Sequence, residues 1–207
     1  MRQASSRRDG RFRIRGGRLR CRGRTISRMR PQEEANMAGA NRTRRRQVAL
    51  IGPSEPDETT LALAEQVGTL IARLGLVLVT GGRDGIMEAA SRGCAASGGT
   101  VVAVVPGTSM DEANNFAHIV IPTGLGWARN VITGIAGDVI VCMGGAAGTL
   151  SEIAFAWMYG RPVLALSSTG GWAGELAGRA IDHRRKDTIV DCPTLAELER
   201  KLRELVR

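Results

Sequence analysis

Short apolar segments alternate with segments of helical periodicity along most of this chain, and this alternation restricts the fold more than any other feature. The predicted strands are residues 48–52, 76–79, 100–105, 118–121, 138–143, 162–166 and 188–190. The predicted helices are residues 57–73, 85–96, 128–136, 150–159 and 194–206. Because the strands lack a regular alternation of polar and apolar residues, we expect them to be covered on both faces, as in a parallel sheet. The predicted fold class is therefore α/β, a doubly wound, mostly parallel Rossmann-like sheet with helices on both faces.

The first 46 residues differ from the rest in composition. They contain 16 Arg against three carboxylates, a net charge of +13, whereas residues 47–207 carry a net charge of −4. The region also lacks hydrophobic periodicity. We therefore expect residues 1–46 to be a disordered Arg-rich tail and residues 47–207 to be a Rossmann-like nucleotide-binding domain.

Three interpretations of the tail remain open. It can bind nucleic acid through phosphates, it can be an Arg-rich transit peptide, or it can result from a start codon assigned upstream of Met37. We favour the last of these. Phe12 is the one aromatic residue of the tail that can stack on a base, and we expect nucleic-acid binding, if any, only through the tail.

The cysteines and the hydropathy of the chain bear on metal sites and location. Four cysteines are widely spaced, at positions 21, 94, 142 and 192, and none forms a Cys-x-x-Cys pair, so we expect no metal site. Scattered thiols are typical of a reducing cytoplasm. No apolar run approaches the roughly 18–20 residues of a membrane helix, and no secretory h-region is present. We expect a cytoplasmic protein without a membrane partner.

Two glycine-rich segments, 80–85 and 144–152, each join a predicted strand to a helix. Glycine lets the backbone approach a ligand closely, and the N-terminus of a helix favours phosphate. The candidate ligand-binding or phosphate-binding residues are Gly52, Gly81, Gly82, Arg83, Gly85, Gly144, Gly145, Gly148 and Thr149. Since ligands of such sheets bind beyond the carboxyl ends of the strands, we expect both loops to face one crevice.

Each loop also has a purely structural interpretation. The first can be a tight turn in which Asp84 caps the next helix. In the second, Thr149 and Glu152 have the spacing of a capping box. Neither loop contains a lysine or the Gly-x-Gly-x-x-Gly pattern, which argues against a dinucleotide site and against NTP hydrolysis of the P-loop type.

Four segments follow one another in an order that resembles the Lonely-guy / "lysine decarboxylase-like" Rossmann superfamily, over roughly residues 47–205. The four segments are 80–90, 98–106, 121–130 and 144–152. Within that superfamily the chain is most similar to the branch that contains molybdenum cofactor carrier proteins. This resemblance implies a crevice between the two loops that binds a small phosphorylated ligand, either of pterin type, such as the molybdenum cofactor, or a nucleoside monophosphate.

The resemblance also implies an alternative, a phosphoribohydrolase that cleaves nucleoside 5′-monophosphates to free base and ribose 5-phosphate. Arg129 matches the catalytic Arg of that family and Glu152 the second Glu of its loop, whereas Ser151 stands where the first Glu is usual and Asn130 where a Lys is usual. A carboxylate can stabilise the positive charge that develops on the ribose during cleavage. A structural ion pair between Arg129 and Glu152 is the other interpretation.

The predicted helix 150–159 suggests a further expectation. Its Phe155-Ala-Trp-Met-Tyr159 segment makes the helix apolar on nearly every side, which requires burial in the core or against another subunit. Members of the superfamily are typically dimers or larger. We therefore expect a homo-oligomer, a dimer or a tetramer.

Overall fold

The computed structural model describes residues 44–206 together with two short strands of the tail. The chain divides into two units, Met1–Thr43 and Arg44–Arg207. In the first unit, β1 (Arg20–Cys21) pairs antiparallel with β2 (Arg24–Thr25). The predictions of disorder and of nucleic-acid binding for the rest of that unit lie outside the described residues.

The second unit contains one seven-stranded sheet. Its strands are β3 (Gln47–Ile51), β4 (Val77–Thr80), β5 (Thr100–Val105), β6 (Ile119–Pro122), β7 (Val139–Met143), β8 (Val163–Leu166) and β9 (Val190–Asp191). The order is β6-β5-β4-β3-β7-β8-β9, and every neighbouring pair is parallel. The predicted doubly wound sheet is confirmed. The direction of winding reverses on either side of β3, which places the expected ligand crevice near the carboxyl ends of the central strands.

Helices cover both faces of this sheet. They are α1 (Glu58–Arg73), α2 (Ile86–Ala96), α3 (Asn130–Ala136), α4 (Ala147–Met158), α5 (Gly171–Leu176) and α6 (Leu195–Leu205). Short 3-10 turns occupy Met110–Glu112, Gly126–Arg129 and Ser167–Thr169. The sequence does not predict α5, because six residues that begin with Gly171 are too short for a periodic signal.

Alternate residues of β3 show why the strands are apolar throughout. Val48 and Leu50 belong to the core under α1, α2 and α6, whereas Ala49 and Ile51 belong to the core under α3, α4 and α5. Burying each large side chain stabilises the fold by roughly 1.5–3 kcal/mol. A polar residue on either face of β3 would not provide this stabilisation. Burial on both faces therefore explains why β3 lacks the alternation of polar and apolar residues that is usual in a half-buried strand.

Asp138 organises the amino edge of the sheet. Its carboxylate accepts hydrogen bonds from Arg44 Nη2 at 2.7 Å and from the Gln47 amide at 2.8 Å. These hydrogen bonds, chiefly that from Arg44, hold the pKa of Asp138 well below its usual range. Asp138 therefore ties the start of β3 to the start of β7 and has a structural role at the edge opposite the expected ligand site.

Three properties of the second unit concern location, metals and thiols. Among residues 44–206, no helix combines the length and hydrophobicity needed to cross a bilayer. In the same range, no group of three His, Cys, Asp or Glu side chains is placed to hold a metal ion. Cys94, Cys142 and Cys192 are buried free thiols.

Candidate functional site

The first glycine loop lies at the carboxyl end of β4 and owes its glycines to close packing. A Cβ atom on Gly81 would lie 2.4 Å from Arg129 Nη1, and one on Gly82 would lie 2.8 Å from Ala103 Cβ. Gly82 also has a left-handed backbone, with φ of 77°. Its amide donates to Thr80 Oγ1 at 3.1 Å. The loop therefore contributes shape to the site, and its charge comes from the side chain of Arg83.

The neighbouring glycines join this loop to the end of β3. A Cβ atom on Gly85 would lie 2.4 Å from the Ser54 carbonyl oxygen, and one on Gly52 would lie 2.3 Å from Ile86 Cδ1. The Ile86 amide donates to the Pro53 carbonyl at 3.3 Å. Asp84 makes no capping hydrogen bond to α2, whose N-cap residue is Gly85, so the predicted cap at Asp84 is wrong. Instead, Gly85 occupies the N-cap position of α2, with its backbone in the left-handed region.

The second glycine loop follows β7 and leads into α4. The Gly144 amide donates to Thr169 Oγ1 at 2.7 Å, and the carbonyls of Gly144 and Gly145 accept from the first amides of α5. None of the hydrogen bonds found among residues 44–206 uses the amides of Ala147, Gly148 or Thr149. These three amides start α4, so they and the positive end of the helix dipole are available to an anion.

The helix α4 begins three residues earlier than predicted, and this changes two assignments. Its N-cap residue is Ala146, and no side chain caps it. The predicted capping box of Thr149 and Glu152 is therefore wrong, because both residues already lie inside the helix. Gly145, with φ of 102°, leaves room for the buried Thr149, whose Cβ would lie 2.4 Å from a Cβ at position 145.

Arg129 connects the two loops. Its Nη1 lies 3.6 Å from Glu152 Oε1 on α4 and directly against Gly81 in the first loop. Only 8 % of Arg129 and 7 % of Glu152 is exposed. Among the described residues, the buried Nε of Arg129 has no hydrogen-bond partner. A buried donor without a partner costs free energy, so the hydrogen-bonding capacity of the Arg129 guanidinium is not fully met by the protein.

Burial perturbs both members of this pair. Burial raises the pKa of Glu152 to about 7, although a hydrogen bond from Thr133 Oγ1 and the charge of Arg129 favour the ionised form. Burial also lowers the pKa of Arg129. The charge of Arg83 lowers this pKa further, whereas the charge of Glu152 raises it. The site therefore holds a cation beside a carboxyl group whose protonated form is favoured by burial.

A neutral network lies next to this pair, at the positions where the sequence departs from the superfamily. Asn130 Nδ2 donates to Ser151 Oγ at 2.8 Å and to the Gly148 carbonyl at 3.4 Å. Ser151 Oγ donates to the same carbonyl at 2.6 Å. Asn130 and Ser151, the two residues that differ from the superfamily pattern, are thus bonded to each other. They hold the first turn of α4 without adding a second carboxylate.

Arg129 also forms one wall of an open cleft of about 340 Å³. The other lining residues are Arg83, Pro106, Gly107, Glu112, Gly126 and Trp127. Of the first glycine loop only Arg83 lines this cleft, and no residue of the loop 144–149 does, although we expected both loops to face one crevice. The second loop reaches it only through the contact between Arg129 and Glu152.

Glu112, Trp127 and Thr133 belong to the site, and the sequence does not predict them. Thr133 follows Arg129 by four residues, so helical spacing is a usable signal for that contact. Glu112 ends the 3-10 turn Met110–Glu112, a segment without a recognisable sequence pattern. Only the packing of the β5 and β6 loops brings Glu112 and Trp127 to the cleft of Arg83 and Arg129.

These contacts predict that Gly81→Ala displaces Arg129 and weakens ligand binding. The added methyl would overlap Arg129 Nη1 and Met87 Sδ, at 2.4 and 2.7 Å. We expect the affinity for a nucleoside 5′-monophosphate to fall about tenfold, measured by isothermal titration calorimetry. Far-UV circular dichroism and thermal unfolding check that the Gly81→Ala protein folds. An unchanged affinity in a folded Gly81→Ala protein would contradict this role.

The fold and these contacts define a Rossmann-like α/β protein with a cleft at the carboxyl edge of its sheet. The chain belongs to the SLOG cluster4 family, whose model matches residues 45–196. This match, together with the relatives below, confirms the resemblance to the Lonely-guy and molybdenum cofactor carrier group.

Three relatives show how far the similarity extends. An uncharacterised protein of Archaeoglobus fulgidus is 46% identical over 120 residues, which are 58% of this chain and 79% of that protein. The structure of the molybdenum cofactor binding protein from Rippkaea orientalis is 30% identical, with a TM-score of 0.70, and the match covers 80% of this chain and 99% of that one. A cytokinin riboside 5′-monophosphate phosphoribohydrolase of Mycobacterium tuberculosis is 32% identical over 126 residues, 55% of this chain and 66% of that enzyme.

Proposed function

We propose that this protein binds a small phosphorylated ligand of pterin or nucleotide type and holds it without cleaving it, as a carrier does. The observation that carries this proposal is the buried guanidinium of Arg129, with an unpartnered Nε, against Gly81 and beside Glu152. A phosphate group supplies acceptors for a guanidinium in matching geometry. Binding such an anion would offset the desolvation that lowers the pKa of Arg129.

The residues at the site fit the organic part of a molybdenum cofactor better than its metal. Arg83 and Arg129 suit its phosphate, and Trp127 offers a flat apolar surface to its ring system. Among residues 44–206, no cluster of His, Cys, Asp or Glu is placed to ligate molybdenum. When bound, the cofactor would supply redox chemistry, and this chain would supply recognition of its phosphate and ring.

Storage is favoured over cleavage by the neutral network of Asn130 and Ser151. Glycosidic cleavage commonly uses two carboxyl groups, whereas α4 presents one, Glu152, in the first two turns. The similarity to the Rippkaea orientalis cofactor-binding protein along nearly its whole length supports the same choice.

Cleavage of a nucleoside 5′-monophosphate is the alternative function. It is favoured by Glu152, because a carboxyl group with a pKa of about 7 is suited to exchange a proton at neutral pH. The similarity to the Mycobacterium tuberculosis phosphoribohydrolase also supports it. In that mechanism Glu152 would stabilise the charge that develops at the ribose, and Arg129 would hold the phosphate.

One experiment separates the two functions. The full chain is expressed in a bacterium that makes the molybdenum cofactor, and the small molecules that co-purify are identified by mass spectrometry. The same protein is then incubated with AMP and GMP, and free base is assayed. A bound phosphorylated ligand without base release supports the carrier. Base release that disappears in Glu152→Gln establishes the hydrolase, and neither binding nor release overturns both.

The end of α4 supports a homo-oligomer as part of this proposal. Ile153, Ala156 and Trp157 are buried in the second core cluster, but Met158 and Tyr159 are 47% and 63% exposed. An apolar helix end of this kind is typical of a protein interface. Light scattering after gel filtration should give the mass of a dimer or tetramer, and a monomeric mass at micromolar concentration would exclude it.

A further inference from the structure

An exposed tryptophan lies beside the arginines of the cleft. Trp127, in the 3-10 turn Gly126–Arg129, is 83% exposed, yet its neighbour Arg129 is buried. Trp127 lines the same cleft as Arg83 and Arg129. An indole that is left in water loses the stabilisation that burial would give it, so a position at the mouth of a cleft indicates a ligand surface.

The cleft also contains one carboxylate held in place by the backbone. Glu112 Oε2 accepts a hydrogen bond from the Gly107 amide at 3.1 Å. A Cβ atom at position 107 would lie 1.7 Å from Glu112 Oε1, so only glycine allows the carboxylate this position. Among the described residues, Glu112 has no ion-pair partner. Its acceptor capacity therefore remains largely available to a ligand.

An acceptor of this kind selects for a particular edge of a heterocycle. An ionised carboxylate accepts hydrogen bonds and donates none. Guanine and pterins carry a ring N–H next to an exocyclic amino group, which are two adjacent donors. Adenine carries an amino group next to an unprotonated ring nitrogen, which repels a carboxylate. A cleft that contains Glu112 therefore discriminates against adenine.

We propose that the cleft recognises an edge shared by guanine nucleotides and pterins, made of an amino group, the adjacent ring N–H and the neighbouring oxo group. The ring stacks on Trp127, its two donors bond to Glu112, and the phosphate of the ligand binds to Arg83 and Arg129. This inference rests on the proposed function and adds the class of ring to it. The volume of about 340 Å³ is sufficient for such a bicyclic ring, at the lower end of small-molecule sites.

The test compares three nucleotides and one pterin on the full chain. GMP, IMP, AMP and neopterin 3′-phosphate are titrated by calorimetry at one pH and one salt concentration. We expect GMP to bind at least about tenfold more tightly than AMP, with IMP, which lacks the amino group, in between. Tighter binding of neopterin 3′-phosphate than of GMP identifies a pterin as the natural class, and the reverse identifies a guanine nucleotide.

Variants then test each contact. Glu112→Gln should reduce the preference for GMP over AMP to about threefold or less, because the amide places its own donor at this edge. Trp127→Ala should weaken both nucleotides by about tenfold or more, and Trp127→Phe should retain most of the affinity. Glu55→Gln, which alters a separate groove beside Gly85, is the control and should change nothing. Glu112 and Trp127 are exposed, so these variants should fold normally.

The outcomes distinguish this inference from the proposed function. If none of the four ligands binds to the unchanged protein, the proposed function is overturned and the inference with it. If they bind without a preference for GMP over AMP, or if Glu112→Gln leaves that preference intact, only the inference is overturned. The same holds if Trp127→Ala changes the molar mass in solution but not the affinity, because Trp127 would then serve an interface between copies.

Discussion

Arg129→Met should reduce the affinity for a nucleoside 5′-monophosphate by about a hundredfold or more, with little loss of stability. The guanidinium is buried, it has an unpartnered Nε and burial lowers its pKa, so the ligand-free protein bears the cost of holding this charge. A bound phosphate would offset that cost. Removing one member of a buried, hydrogen-bonded charge pair across an interface typically costs about 2–5 kcal/mol of binding free energy.

Calorimetry and urea unfolding of Arg129→Met at pH 6 measure the two effects. At that pH most Glu152 carboxyl groups are protonated, since the pKa is about 7, and the variant leaves no uncompensated charge. If Arg129 served only as a structural partner of an ionised Glu152, the variant would instead lose roughly 3–5 kcal/mol of stability. Arg92→Met is the control, because Arg92 pairs with Glu65 and is 43% exposed. It should alter neither quantity appreciably.

Glu152→Gln should change the pH dependence of stability. Burial raises the pKa of Glu152 from 4.5 to about 7, so the folded protein binds more protons than the unfolded chain between these two pH values. The contribution of Glu152 to the free energy of unfolding of the wild type therefore falls as pH rises from about 4.5 to 7. From pH 4.5 to pH 8, the difference in stability between variant and wild type should shift by about 3 kcal/mol towards the variant.

Urea unfolding over this pH range measures that shift, with Glu65→Gln as the control at a carboxylate that is 42% exposed. A constant difference between Glu152→Gln and the wild type would contradict the assignment. Binding should show the same change of charge. A protonated Glu152 does not repel a phosphate on Arg129, so the affinity of the wild type relative to Glu152→Gln should fall as pH rises through about 7.

Local patterns were sufficient to predict most of the fold. All seven strands of the sheet were predicted, most of them to within one residue. The inner strands are apolar because they are buried on both faces. The edge strand β6 is also apolar, although Ile119 and Ile121 are 50% and 45% exposed. Helix ends were less certain. The start of α4 was misplaced by three residues, since its N-cap Ala146 carries no capping side chain and so gives no signal. The helix α5 is too short to show hydrophobic periodicity in the sequence.

The site was predicted only in part. Arg129 and Glu152 were identified through resemblance, and they are in contact in the structure. The free amides of the predicted second loop belong to Ala147, Gly148 and Thr149, whereas the Gly82 amide of the first loop is already bonded to Thr80. Where a backbone amide points depends on turn geometry, which residue types alone do not specify.

By itself, the sequence determined the α/β class, the mostly parallel direction of the strands and the presence of two glycine loops at strand ends. These features follow from hydrophobic periodicity and from the positions of glycines, which are patterns among residues close together in the chain. Only the tertiary structure decided that Arg129 lies between Gly81 and Glu152, and that Glu112 and Trp127 share a cleft. Desolvation and contact depend on atoms that are distant in sequence, and only the completed fold brings those atoms together.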